Sequence, residues 1–128
     1  MVNKIEYKLS HRSLDKLQGV HRDLQRVIKE AITCSPYDFG ITEGLRTIER
    51  QKQLVAEGKS RTMNSRHLKG LAVDVACYIN GNVTWDFAVY KEVADHIKAV
   101  AKLNDVKITW GGDWEGFRDG PHFQIELD

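Results

Sequence analysis

The sequence predicts an α+β fold, a mostly antiparallel sheet with helices packed against it and a metal site on the open sheet face. Three observations predict it. Apolar residues recur three or four apart within 11–33 and again within 87–104, the period of a half-buried helix. Leu71 to Ile79 reads as a strand and meets Val83-Thr84-Trp85 through Asn80-Gly81, a strong hairpin signal. Helical and extended segments then follow in the order helix, strand, helix, hairpin, helix, strand, strand.

Each element has its own signals. Leu14, Leu17, Val20, Leu24, Val27, Ile28 and Ala31 form one apolar stripe, so a single helix is expected over 11–33. Ser10 or Ser13 can cap its start, and Ser35-Pro36 ends it. Tyr37 to Leu45 reads as a strand that enters a loop at Gly44. A shorter helix follows Thr47, a candidate N-cap, and stops at Gly58. Residues 59–66 are polar and aperiodic, which predicts a loop. Asp86 can cap a third helix with Phe87, Tyr90, Val93, Ile97 and Val100 on one stripe, and Asn104 suits its end. Val106 to Trp110 and His122 to Leu127 are two further strands, joined by a glycine-rich segment, 111–120, expected to rim a site.

Composition narrows the function. The 128 residues are 41% hydrophobic and 29% charged, which fits one soluble domain spanning 1–128 with no second module. Nineteen Lys and Arg against eighteen Asp and Glu leave a net charge of +1. That balance offers no electrostatic footprint for nucleic acid or an anionic membrane. No apolar run is long enough to span a bilayer, and the polar start encodes no secretory signal. Cys34 and Cys77 are therefore not expected to form a disulfide, and Cys77 reads as a buried small hydrophobe.

The chemistry concentrates in two segments, Ser65-Arg66-His67 running to Asp74, and Asp119-Gly120-Pro121-His122. Side chains alternate across a strand. Leu71, Val73, Val75 and Cys77 would face the core, with Ala72, Asp74 and Ala76 on the other side. The last strand divides likewise, Phe123, Ile125 and Leu127 against His122, Gln124 and Glu126. Two neighbouring strands could bring Asp74 and His122 onto one face, with His67 folding back across a turn at Gly70. Two imidazoles and one carboxylate suit a metal that keeps a position open for water. On spacing alone, a structural ion pair between Asp74 and a nearby Arg or His is the competing reading.

Asp119, three residues before His122, is placed to accept a proton from an activated water and pass it to a leaving amine; it is also good turn chemistry. Asp113 and Glu115 are rival bases in the same segment. Arg46 offers a planar fork for a substrate carboxylate or a polarised carbonyl, against the plain reading of a surface arginine. Trp110 is expected in the core and Trp114 on a substrate groove. His11, His21 and His96 have no matched partners and are left outside the site.

Ser-x-His-x-x-x-x-x-x-Asp followed by Asp-x-x-His resembles the zinc peptidases of the VanX and VanY type, closest to their phage branch of L-alanyl-D-glutamate endopeptidases. Ser35-Pro36-Tyr37-Asp38-Phe39, Gly44-Leu45-Arg46-Thr47 and Tyr78-Ile79-Asn80-Gly81 with Trp85 extend the likeness from about Ser35 to the C-terminus. The resemblance implies zinc held by His67, Asp74 and His122. It implies Asp119 as general acid/base, Arg46 as the arginine that contacts substrate and stabilises the oxyanion, and Ser65 as a supporting residue. It further implies a peptidoglycan stem peptide as substrate and an enzyme that gathers in the host cytoplasm and reaches the periplasm through a holin; a monomer is expected. Two departures stand out: the segment between Trp110 and Asp119 is short, and Cys77 stands where proline is frequent.

Three other readings fit the same residues. A D-alanyl-D-alanine carboxypeptidase or dipeptidase would use the same zinc. A zinc-stabilised binding module without turnover would need a fourth ligand and no acid/base. A non-haem iron oxygenase shares the two-His, one-carboxylate set, but its His and Asp usually sit two apart, not seven as His67 and Asp74 do.

Overall fold

A computed structural model describes residues 5–127. Five strands form one antiparallel sheet: β1 (Asp38–Glu43), β2 (Ala72–Ile79), β3 (Asn82–Thr84), β4 (Ile108–Trp110) and β5 (His122–Ile125). The order is β1-β2-β5-β4, with β3 also on β2. β2 is the hub. One edge pairs with β1; the other is shared, Ala72 to Asp74 with β5 and Cys77 to Ile79 with β3. The hairpin turns at Asn80 and Gly81, both with positive φ (52° and 81°), as a tight primed turn requires.

The helices are α1 (His11–Lys16), α2 (Arg22–Thr33), α3 (Ile48–Ala56) and α4 (Phe87–Leu103). Local capping explains three of the starts. Ser10, Thr47 and Asp86 each accept a backbone N–H from the first turn. The core gathers α2 residues Leu24, Val27 and Ile28 and α4 residues Val93 and Ile97 against Phe39, Val73, Val75, Cys77 and Phe123 of the sheet. Cys34 and Cys77 are both free. No helix among the described residues is long and apolar enough to cross a membrane.

The expected single helix over 11–33 is in fact two. The chain breaks between Leu17 and His21, with Gly19 at φ 83°. His21 restarts it as an N-cap, its Nδ1 accepting from Asp23 N at 3.1 Å. The apolar spacing runs unbroken through the gap because Leu17, Val20 and Leu24 are all buried. The break has a use: α1 is freed to lie along β1, where buried Ser13 accepts the Ile41 N–H at 3.0 Å. That satisfies a donor on an edge strand.

A second local irregularity shapes the site. In the β1–β2 ladder Ile41 faces Val75 but Glu43 faces Asp74, so Thr42 is the extra residue of a β-bulge. Asp74 in turn faces His122 on β5. Glu43, Asp74 and His122 thus form one row across three strands. The bulge brings Glu43 into that row; without it Thr42 would stand there.

Candidate metal centre and its cleft

The row lies on the sheet face opposite α2 and α4. Segments 43–67 and 114–119 surround it and leave a cleft of about 410 Å³. The face is more covered than the alternation implies, since Ala72 and Ala76, expected beside an open Asp74, are themselves buried. His67 enters from a 3-10 turn, Arg66–Lys69, capped by Ser65 Oγ, which accepts His67 N at 3.2 Å. Gly70 ends that turn at φ 69°. A Cβ there would overlap the Gly19 carbonyl oxygen, so both the turn and the close approach need glycine.

Hydrogen bonds fix which ring nitrogens are bare. His67 Nδ1 lies 2.8 Å from the Gly44 carbonyl oxygen, which only accepts, so Nδ1 carries the proton. Nε2 is left as a lone pair, buried and without a hydrogen-bond partner. Gln124 treats His122 likewise. Its amide nitrogen donates to Glu126 Oε1 at 2.6 Å, which turns its oxygen to accept from His122 Nε2 at 2.8 Å and leaves Nδ1 bare. The two bare nitrogens lie 3.4 and 3.5 Å from Asp74 Oδ1. All three donor atoms fall within 4.8 Å of one another.

This arrangement can hold a metal ion. Orienting each ligand imidazole through its other nitrogen is how metal sites are built. An orphaned buried nitrogen such as His67 Nε2 carries a desolvation cost that an ion pair between Asp74 and His122 would leave in place. Burial raises the Asp74 carboxyl, yet the two imidazoles facing it outweigh that when they are protonated and no metal is bound, His122 ahead of His67, and bring it well below the usual carboxylate range. Burial depresses His122, but a proton taken up on Nδ1 would face Asp74 while Nε2–H stays on Gln124, and these partners prevail and raise it.

Asp119 lines the same cleft. Burial, with the Asp74 charge second, lifts its carboxyl above the ordinary range. Its backbone is anchored, its N–H donating to Gly111 O at 3.0 Å and its carbonyl accepting from His122 N at 3.1 Å. Asp113 instead pairs with Lys98, and Glu115 does not line the cleft. Trp114 does, its ring 5.0 Å from that of His122. Trp110 is core, 2% exposed.

Arg46 is 8% exposed and held on every nitrogen. Nε and Nη2 donate to Glu43 Oε1 and Oε2 at 2.8 and 2.6 Å, and Nη1 donates to Gln51 at 2.8 Å and Ser65 at 3.4 Å. Nη2 also stands 3.6 Å from Asp74 Oδ2. The fork expected to be free for a substrate carboxylate is already clasped by the protein. Sequence reasoning missed three partners here: Glu43, hidden by the bulge; Gln51, fully buried and bonded through its amide to Ser60 and Thr62; and Gln124. The strand alternation did place Gln124 beside His122. His21 and His96 lie outside the site, His21 as a cap and His96 on the Ala31 carbonyl.

The chain is similar to known peptidases. A family described as phage L-alanyl-D-glutamate peptidase matches residues 5–126. The chain is 34% identical over 119 residues to the L-alanyl-D-glutamate peptidase of Escherichia phage T5, covering 90% of this chain and 87% of that protein. It is 30% identical over 111 residues to the peptidoglycan L-alanyl-D-glutamate endopeptidase CwlK of Bacillus subtilis, covering 77% of this chain and 66% of CwlK. The crystal structure of the Serratia marcescens L-Ala D-Glu endopeptidase ChiX superposes with a TM-score of 0.89 at 41% identity, covering 94% of this chain and 91% of that one.

Proposed function

The chain belongs to the phage L-alanyl-D-glutamate peptidase family, and from that membership we propose that it hydrolyses the bond between L-alanine and D-glutamate in peptidoglycan stem peptides, with zinc as its metal. One observation carries the reading beyond family membership. The bare nitrogens of His67 and His122 meet Asp74 in a cleft that also holds Asp119.

The residues divide the work. His67, Asp74 and His122 would hold the zinc. When bound, zinc supplies Lewis acidity that polarises a carbonyl and eases the ionisation of water. Asp119, its proton affinity raised by burial, accepts the proton of the attacking water and delivers it to the departing amine of D-glutamate. Arg46, clasped by Glu43, sets its charge beside Asp74 and steadies negative charge as it develops on the L-alanyl carbonyl oxygen. Ser65 caps the His67 turn and touches Arg46, so it supports both. Trp114 walls the cleft over His122. The chain acts as one catalytic unit and as a monomer, gathers in the host cytoplasm and reaches the periplasmic peptidoglycan through a holin.

Mass spectrometry of fragments released from Gram-negative sacculi tests this. New N-terminal D-glutamate, lost on chelation and restored by zinc, is the expected result. Release of free D-alanine instead would assign a carboxypeptidase, and no release at all would refute a hydrolase.

A further inference from the structure

Four cations line the cleft: Arg46, Lys59, Arg61 and Arg66. Three are neutralised where they stand. Arg46 pairs with Glu43, Lys59 lies 3.3 Å from Glu57, and Arg66 lies 3.3 Å from Glu126. Arg61 has neither a carboxylate nor a hydrogen-bond partner among the described residues. Its guanidinium carbon instead sits 4.6 Å from the centre of the Phe117 ring. Phe117 belongs to the other loop of the rim and also lines the cleft. Stacking on a ring uses the face of the guanidinium and leaves its in-plane N–H donors free.

An unpaired surface arginine is ordinary. This one is set apart by its place in the cleft wall and by the commitment of every other cation there. The substrate class supplies a matching anion. Glutamate has two carboxyl groups. Joined to L-alanine through its amine and carried onward through one carboxyl, it keeps the other as a standing negative charge next to the scissile bond. Arg46, the obvious receptor by sequence, has its fork occupied by Glu43.

We propose that Arg61, seated on Phe117, is the subsite for the free carboxylate of that D-glutamate, and so a specificity determinant; this rests on the peptidase reading. The planar fork binds the carboxylate in two-point fashion. Phe117 holds the fork in place and lowers the entropic cost of ordering it.

The test compares two synthetic stem peptides, one with the free glutamate carboxyl and one with that carboxyl amidated. The zinc-loaded wild-type protein and its Arg61→Gln and Arg61→Lys variants are assayed on both. Wild type should favour the free acid by about tenfold or more in kcat/KM, the scale of a charged hydrogen bond. Arg61→Gln should raise KM for the acid, leave kcat and metal content unchanged and erase the preference, while Arg61→Lys restores part of it. A wild type that cleaves both peptides equally, or an Arg61→Gln variant that keeps the preference, overturns the subsite and leaves the peptidase reading standing. A wild type that cleaves neither overturns the peptidase reading itself.

Discussion

Gln124 accepts the Nε2 proton of His122 at 2.8 Å, and so decides which nitrogen of that ring is left for a metal. Its amide is held the right way round by Glu126, whose carboxyl is lowered chiefly by that bond. Replacing Gln124 with alanine should free the ring to rotate and exchange tautomers. Zinc affinity is expected to fall by about 10–100-fold, the usual cost of losing such support. Competition against a chromogenic chelator reads this directly; an unchanged affinity would mean that the strand alone orients His122.

Asp119 makes its anchoring contacts through the backbone. Asp119→Ala should therefore leave the fold and the bound metal in place while hydrolysis drops by about 10²–10⁴-fold, the range for a lost general acid/base. Metal analysis and turnover on the same sample check both halves. Full activity in this variant would remove Asp119 from the reaction.

Glu43 and Arg46 form a two-point pair whose arginine is almost buried. Glu43→Ala leaves that guanidinium without its main partner and beside Asp74. The expected cost is about 1–3 kcal/mol in urea unfolding, because an unpaired buried charge keeps its desolvation penalty. A variant as stable as wild type would show that Gln51, Ser65 and water suffice.

Stability should decline at high pH. Burial pushes the Cys77 thiol up from 9.0 to about 12 and the Tyr90 hydroxyl up from 10.0 to about 12. The unfolded chain therefore loses these protons first. Their contribution is complete below pH 9 and is lost as pH rises toward 12, by at most about 1.4 kcal/mol per pH unit for each group. Urea midpoints measured from pH 8 to pH 11 should fall with that onset, and Cys77→Ala should flatten the part between pH 9 and pH 10. The same burial predicts that iodoacetamide at pH 8 labels exposed Cys34 alone in the native protein. Equal labelling of both thiols would contradict it.

Whatever depends on neighbours along the chain was legible from the residues alone. Thr47 and Asp86 cap helices because a side-chain oxygen reaches an N–H two or three residues on, and Asn80-Gly81 turns because both can hold positive φ. Strand alternation put Asp74, His122 and Gln124 on one face, since successive side chains must point to opposite sides. Tertiary structure decided the rest. Leu17, Val20 and Leu24 keep helical spacing across a break that lets α1 lie along the edge of β1. Glu43 joins the site only because Thr42 bulges against β2, and Arg46 is clasped only because that bulge presents a carboxylate to it. Such pairings depend on which backbone lies across from which, and a register between distant segments leaves no mark in local periodicity.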